Sequence, residues 1–539
     1  MNDLMRYRSL VVPVRTPATF LLVVSAALAT SACPVLERPP EIDPWLLCEE
    51  CVDGERESVV SLGEDAIPWM ADALRGPSPR RVSNIRLQAA ESYARLVAAT
   101  PSGDPGRTQT QYVDHYTDNY VATFQSRAAK ALGDIGTDAA LDTLRTALAA
   151  AEARDYRDDV VTEIVRALGV AGSGSGWSRI AVGERFSCGV FHGRTYCWGG
   201  YASGQVGHGR VQGGDPGQSL PVPTLGTMSF RQVSGGADHA CGTTPTRRTF
   251  CWGAQVAGRL GNGTRDSDTL PIPVALVGPR LDTVAVGRAH ACGIGDEGEA
   301  FCWGSDIFGQ LGDGPTPHLD DFSPEPVLVA GGIAFRTISA DAGGDHPCGV
   351  AIDGTGWCWG NNSEGQLGSP VSGGGFQSEP TRVFGEHVFS EIVAGGAHSC
   401  AVTASQTVLC WGDNSASQIG AGPASDTARV VSGLPPTTFA SVAAGAAHSC
   451  ALSTGGAAVC WGANDLGQLG RGSVGDTLSN PAPVSGGSVW RRIVASVHTC
   501  GITGAGELFC WGRGADGQIG NGDWEFKTVP ETVSTPGSP

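Results

Sequence analysis

"AGGAHSCAVTASQTVLCWG" (Ala394–Gly412) sets two cysteines ten positions apart, each in a short apolar run, with a small polar segment between them. Two such runs around a polar turn read as the strands of a hairpin. The arrangement recurs along the chain. Cys-Trp-Gly appears with its tryptophan at 198, 252, 303, 359, 411, 461 and 511, at intervals of 54, 51, 56, 52, 50 and 50. A variant of one turn follows each time: "GQVG" at 204, "GRLG" at 258, "GQLG" at 309, 365 and 467, "SQIG" at 417 and "GQIG" at 517. A short strand ending in small residues precedes each unit, as in "RIAVG", "EIVAGG" and "SVAAGAA". Six units place a histidine two residues before the first cysteine (His239, His290, His346, His398, His448, His498), and the first unit has Phe186 there.

A period near fifty, with several short glycine-punctuated strands in each unit, is the signature of a β-propeller. The units resemble the regulator of chromosome condensation repeat, whose pattern runs apolar strand, "AAG", "HSxAL", glycine turn, "xxWG", "GQLG". The resemblance covers residues 177–539 and implies seven blades closed into a ring. The expected fold is therefore mainly β, a seven-bladed propeller preceded by a small all-α HEAT-like helical domain.

The cysteines are spaced for cross-strand pairing. Six pairs are ten apart and one is nine apart. If partners face each other across a hairpin, spacing ten implies a three-residue loop with a left-handed third residue, where glycine is favoured. Gly298, Gly354, Gly456 and Gly506 stand at that position. Spacing nine implies a two-residue loop, for which His192-Gly193 suits a type I′ turn. Both lengths put the cysteines on a non-hydrogen-bonded pair, where Cα atoms approach to about 4.5 Å, within disulfide range. The expected bonds are Cys188–Cys197, Cys241–Cys251, Cys292–Cys302, Cys348–Cys358, Cys400–Cys410, Cys450–Cys460 and Cys500–Cys510. The competing reading, a metal site of His-x-Cys plus the second Cys, would need near-identical thiolate sites in an exported protein. The histidines are expected to pack or hydrogen-bond, and the tryptophans to pack blade against blade. "GDNSAS" and "GNNSEG" lack calcium-loop spacing and read as ordinary turns.

The first 32 residues read as an export signal. Arg6, Arg8 and Arg15 precede "ATFLLVVSAALA" (Ala18–Ala29), too short for a comfortable membrane span. "TSAC" then resembles the lipobox of bacterial lipoproteins, which implies lipidation of Cys33 and, with Pro34 following, an outer-membrane location. The alternative is an ordinary signal cut after Ala32. Residues 33–56 hold a proline-rich tether and "CEEC", read as a local Cys48–Cys51 disulfide because no second pair lies nearby to complete a zinc site. In 57–172 apolar residues recur at helical spacing, with Ala128, Leu132 and Ile135 on one stripe and Leu141, Leu144 and Leu148 on the next. The "ALGxIG" elbow resembles HEAT-like repeats; the segment reads either as a protein-binding module or as a helical spacer.

The net charge is −18 and no Lys/Arg run occurs, which argues against nucleic-acid partners. No catalytic constellation, phosphate loop, metal set or cofactor motif stands out. The resemblance implies an interaction platform whose partner is a protein or polysaccharide; one secreted branch of the family inhibits β-lactamases. The founding member's guanine-nucleotide exchange is discounted for an exported acidic chain. Individual loops are the binding candidates: Asp320 and Asp321 in "GDGPTPHLDDFSPEP" (Gly312–Pro326), and Trp524 and Phe526 in "GNGDWEFK" (Gly520–Lys527). The alternative function is an enzyme or glycan-binding protein using the central channel, to be recognised by clustered charged side chains there.

Overall fold

The structure is a computed structural model. It describes residues 66–75, short helical stretches between 82 and 164, and residues 176–536 except 212–216, 226–229, 316–320, 341–342, 371–374 and 476. Cys33, Cys48 and Cys51 lie outside the described residues. In the N-terminal part, helices run over Ile67–Leu74 and Asp138–Ala149. Pro68 opens the first, where a missing N–H costs nothing. Met70, Leu74, Ala128, Leu132 and Leu144 are buried, and Gln125 donates its amide to Leu74 O at 3.1 Å. The helical periodicity read from the sequence is present in these stretches.

From Trp177 onward the chain forms seven four-stranded antiparallel sheets, each made of four consecutive strands. Each is one blade. Its inner strand lies nearest the axis, its second and third strands form the hairpin that carries the two cysteines, and its outer strand faces solvent. Blade 1 uses the first four strands and blade 7 the last four, so the ring closes without exchanging a strand. Closure rests instead on contacts across the seam. Trp177 donates its N–H to Gly506 O (2.7 Å), and Trp177, Ile180 and Trp198 share a core with Ile502, Leu508 and Ile519. Arg185 donates twice to Asp516 Oδ1, from Nε at 3.0 Å and Nη2 at 2.6 Å.

In every blade the two cysteines are direct partners across the second and third strands, as in Cys400 opposite Cys410 and Cys188 opposite Cys197. All seven pairs are disulfide-bonded with Cα atoms 4.0–4.1 Å apart, closer than the 4.5 Å expected. The hairpin loops follow the spacing. Gly298, Gly354, Gly456 and Gly506 have φ of 82–87°, and His192-Gly193 has φ of 47° and 71°. Blades 2 and 5 carry Arg247 and Gln406 at the third loop position, and both are forced to φ 63°.

The remaining repeat residues lock blade to blade. Each tryptophan of Cys-Trp-Gly is fully buried, and its indole N–H donates to the carbonyl of the second turn residue in the preceding blade. Trp411 reaches Gln366 O at 2.8 Å and Trp198 reaches Gln518 O at 2.9 Å across the seam. The last glycine of the turn makes this approach feasible: a Cβ on Gly368 would sit 2.7 Å from the Trp411 indole nitrogen. The glutamine side chain meanwhile closes its own turn, as Gln366 Oε1 accepting Glu364 N–H at 2.9 Å. Glycine, glutamine and tryptophan in this motif are thus one interlock.

The histidines complete it. Ser399 Oγ donates to Gln366 O (2.9 Å) and also meets His346 Nε2 (2.9 Å). A carbonyl can only accept, so the serine proton goes there and His346 must donate from Nε2. The same relay joins His398 to Ser449, His448 to Thr499 and His498 to Ser187, at 2.7–2.9 Å. His239 faces Ala291 and His290 faces Pro347 in the next blade's equivalent position, so no hydroxyl is offered. Both rings are buried without hydrogen-bond partners. Phe186 takes the place of histidine where the following blade offers Ala240. Burial presses these histidines far below their usual range, to about 3 for His290, His398 and His498 and about 4 for His346 and His448.

Candidate functional site: the central channel

The inner strands have one edge paired to the second strand and the other free toward the axis. Unpaired edges are a liability, because each carries a row of unsatisfied N–H and C=O groups. Here side chains of one blade cap the edge of the next. Gln232 Nε2 donates to Val284 O (3.0 Å), Ser339 Oγ accepts Ala394 N–H (3.1 Å) and Glu391 Oε2 accepts Val442 N–H (3.2 Å). Arg231 and Arg336 donate to Asp282 O and Phe389 O, and Arg491 Nη2 to Trp177 O at 3.0 Å. Every one of these bonds runs from a blade to its successor.

These strands enclose a cavity of about 530 Å³ on the axis. At its waist the side chains are small, alanine or serine in five blades, with valine at 393 and 494. Two residues earlier on each strand stands a polar ring that includes Arg179, Gln232, Glu391 and Arg492. Arg336 and Arg491 lie one position further out. Burial raises the Glu391 pKa above the usual carboxylate value, against the opposing effects of the Val442 N–H and Arg492. Burial likewise lowers Arg492, with Arg179 and Arg491 adding to it and Glu391 resisting.

At the far end, where the inner strands turn back, the charges pair off. Asp516 holds Arg185 and also Arg513 at 3.2 Å, and Arg288 lies 3.9 Å from Asp345. The Asp345 and Glu184 carboxyls are raised, in both cases first by burial and then against Arg288.

The loop residues singled out in the sequence do not form one site. Asp320 lies outside the described residues. Asp321 is exposed in blade 3 with φ 54°, and its carbonyl accepts Asp306 N–H at 2.7 Å. Trp524 and Phe526 are 37% and 49% exposed in blade 7, so both present apolar surface to solvent. Trp524 also lies against its own turn, since a Cβ on Gly517 would come within 2.8 Å of its ring. Lys527 ties that loop down through Asp523 at 2.6 Å. Blades 1 and 2 separate the two loops around the ring. The channel side chains were missed in the sequence; their signal was a charged residue at the third position of the inner strand, as in "WRRIVA" and "FSEIVA".

Among the described residues, no group of three or more His, Cys, Asp or Glu could hold a metal ion. No helix there is long and apolar enough to cross a membrane.

Profiles of the regulator of chromosome condensation (RCC1) repeat match residues 282–310, 389–418 and 439–468, and residues 297–350, 353–402 and 505–538. The chain is similar to the ultraviolet-B receptor UVR8 of Arabidopsis thaliana, with 31% identity over 258 residues, 46% of this chain and 56% of that protein. It is similar to the probable E3 ubiquitin-protein ligase HERC6 of Homo sapiens, with 30% identity over 252 residues, 46% of this chain and 24% of that protein. It thus spans less than two thirds of either relative. Among solved structures, human WBSCR16 aligns with TM-score 0.54 and 22% identity, over 61% of this chain and 87% of that one. Saccharomyces cerevisiae Prp20p, a structure described together with its binding to Gsp1p and histones, aligns with TM-score 0.55 and 19% identity, over 68% and 88%. The chain carries RCC1 repeats folded as a seven-bladed propeller.

Proposed function

We propose that this protein is an exported, lipid-anchored interaction scaffold whose propeller presents individual loops to a protein partner. One observation carries the reading: the residues common to the repeats are consumed by the fold. The cysteines bond each other, the tryptophans and glutamines interlock blades, and four of the six histidines bond the next blade's hydroxyl. What differs between blades lies in the loops before the outer strands. The RCC1-type relatives support a binding role, since Prp20p is described as binding Gsp1p and histones. A disulfide in every blade suits an oxidising compartment and so supports export. In this reading Cys33 carries the lipid, residues 34–56 form the tether, and the helical segment to 172 is a HEAT-like second surface. The scaffold has no catalytic role in this reading.

The test is a pull-down from envelope and secreted fractions. The bait is the oxidised protein lacking its lipid, beside a variant with the 312–326 loop shortened. One dominant protein retained by the first and lost by the second supports the scaffold. Retention of cell-wall polysaccharide with no protein favours the alternative, a glycan-binding protein or enzyme working through the channel. The charged ring of Arg179, Glu391 and Arg492 is the observation that keeps that second reading in view.

A further inference from the structure

The seam between blades 7 and 1 concentrates positive charge that the fold does not neutralise. Arg491 and Arg492 are consecutive on the inner strand of blade 7 (Trp490–Ala495), and Arg179 lies at the position equivalent to Arg492 on the inner strand of blade 1 (Trp177–Val182). Two of the three have structural employment. Arg491 caps Trp177 O, and Arg179 donates from Nε to Arg231 O and from Nη1 to Ser178 O, both at 3.0 Å. Arg492 has none: among the described residues it makes no hydrogen bond and no ion pair. At the equivalent ring position Gln232 and Glu391 bond the next blade's backbone, whereas Thr283 and Thr337 leave their hydroxyls without a partner.

Nearby carboxylates do not remove the imbalance. Glu391, the acidic member of the ring, stands two blades away and spends Oε2 on Val442 N–H. Asp282 is held by Arg231 at 3.0 Å. At the opposite mouth Arg185 and Arg513 share Asp516, and Arg288 lies 3.9 Å from Asp345. A chain of net charge −18 therefore keeps three adjacent guanidinium groups facing a cavity of about 530 Å³ whose acidic lining residue, Glu391, makes no ion pair with them. All three arginines are solvent-exposed in the channel, so water solvates them, and their mutual repulsion favours an anion that joins them. Burial and the neighbouring arginines already press Arg492 below the usual guanidinium value.

We propose that Arg492 and Arg179, flanked by Arg491, form a binding site inside the channel for a small ligand bearing a carboxylate or phosphate group. Arg492 supplies a guanidinium with all five donors free, suited to a bidentate hold on a planar or tetrahedral oxyanion. Arg179 retains Nη2 for a second contact. The small side chains of the waist leave room for an attached organic portion, and the cavity volume lies within the range of small-ligand sites. This site is separate from the loops of the proposed scaffold, and its test contains no protein partner.

The experiment is calorimetric titration of the oxidised protein at low ionic strength with two probes, inorganic phosphate and citrate. The same titrations are run on Arg492→Gln and on Arg231→Gln, which removes a cation at the same mouth that is already paired. Saturable binding of either probe at one site per chain is expected, weakened at least tenfold by Arg492→Gln and less than threefold by Arg231→Gln. Phosphate alone or citrate alone binding in this way identifies the oxyanion class. No saturable binding of either probe overturns the proposal. Equal weakening by both substitutions also overturns it, because a diffuse field at the mouth then explains the effect. Near-ultraviolet circular dichroism of each variant at pH 7 separates loss of the site from loss of the fold.

Discussion

Lowering the pH from 7 to 5 should destabilise the propeller steeply, and the buried histidines are the reason. In the unfolded chain each titrates near 6.5, whereas in the fold five of them titrate near 3 to 4. Between these values the unfolded state binds protons that the folded state refuses, so stability falls as pH falls. The loss starts below about pH 6.5 and is complete only below the folded values. At pH 5 the gap of 1.5 units costs about 2 kcal/mol for each histidine that stays neutral in the fold. Glu184, Asp345 and Glu391 work the other way, because their carboxyls are raised in the fold. The decisive variant is His290→Phe. His290 has no partner to lose, and blade 1 already seats Phe186 in the same packing. A Cβ on Gly183 would lie 2.2 Å from the Phe186 ring, and one on Gly287 lies 2.2 Å from the His290 ring. The assay is guanidinium unfolding with disulfides intact, followed through the buried tryptophans at pH 5, 6 and 7. His290→Phe should match the parent or exceed it at pH 7 and lose about 2 kcal/mol less on going to pH 5. Equal stability of the parent at pH 5 and 7, or an unchanged pH dependence in His290→Phe, would refute the argument.

Other expectations follow from the blade architecture. Thiol titration of the oxidised, denatured protein should find none of the fourteen propeller cysteines reactive, and replacing Cys450 and Cys460 together by Ala should cost about 2.5–3 kcal/mol in chemical denaturation. Gln406→Gly should stabilise by about 0.5–1 kcal/mol, because residue 406 already sits in a left-handed conformation. Gly456→Ala should destabilise by about 1 kcal/mol or more, since its Cβ would come within 2.6 Å of Val489. Trp461→Phe removes the donor to Gln418 O, 2.9 Å away, and should cost about 2 kcal/mol, read as an earlier denaturation midpoint. Cys33→Ser should move the protein from the membrane to the soluble fraction; unchanged attachment would remove the lipid anchor from the proposal.

Much of this architecture was legible in the amino-acid order because the repeat makes its constraints local. Cysteine spacing of nine or ten decides hairpin loop length, loop length decides register, and register brings the sulfurs together. Gly298 and Gly456 announce left-handed loop residues in the same way, and the tryptophan period marks the blades. The interlock was only half visible. The sequence shows Gln366, Ser399 and Trp411 as recurring letters, but their meeting at one carbonyl depends on how neighbouring blades stack, which no local pattern encodes. The bare surroundings of His239 and His290 are decided the same way, by Ala291 and Pro347 about fifty residues downstream. So is the channel. Arg179 and Arg492 are 313 positions apart in the chain, and ring closure alone makes them neighbours. Local geometry is written in spacing; charge balance is a sum over whatever the closed ring brings together, and only the tertiary structure performs that sum.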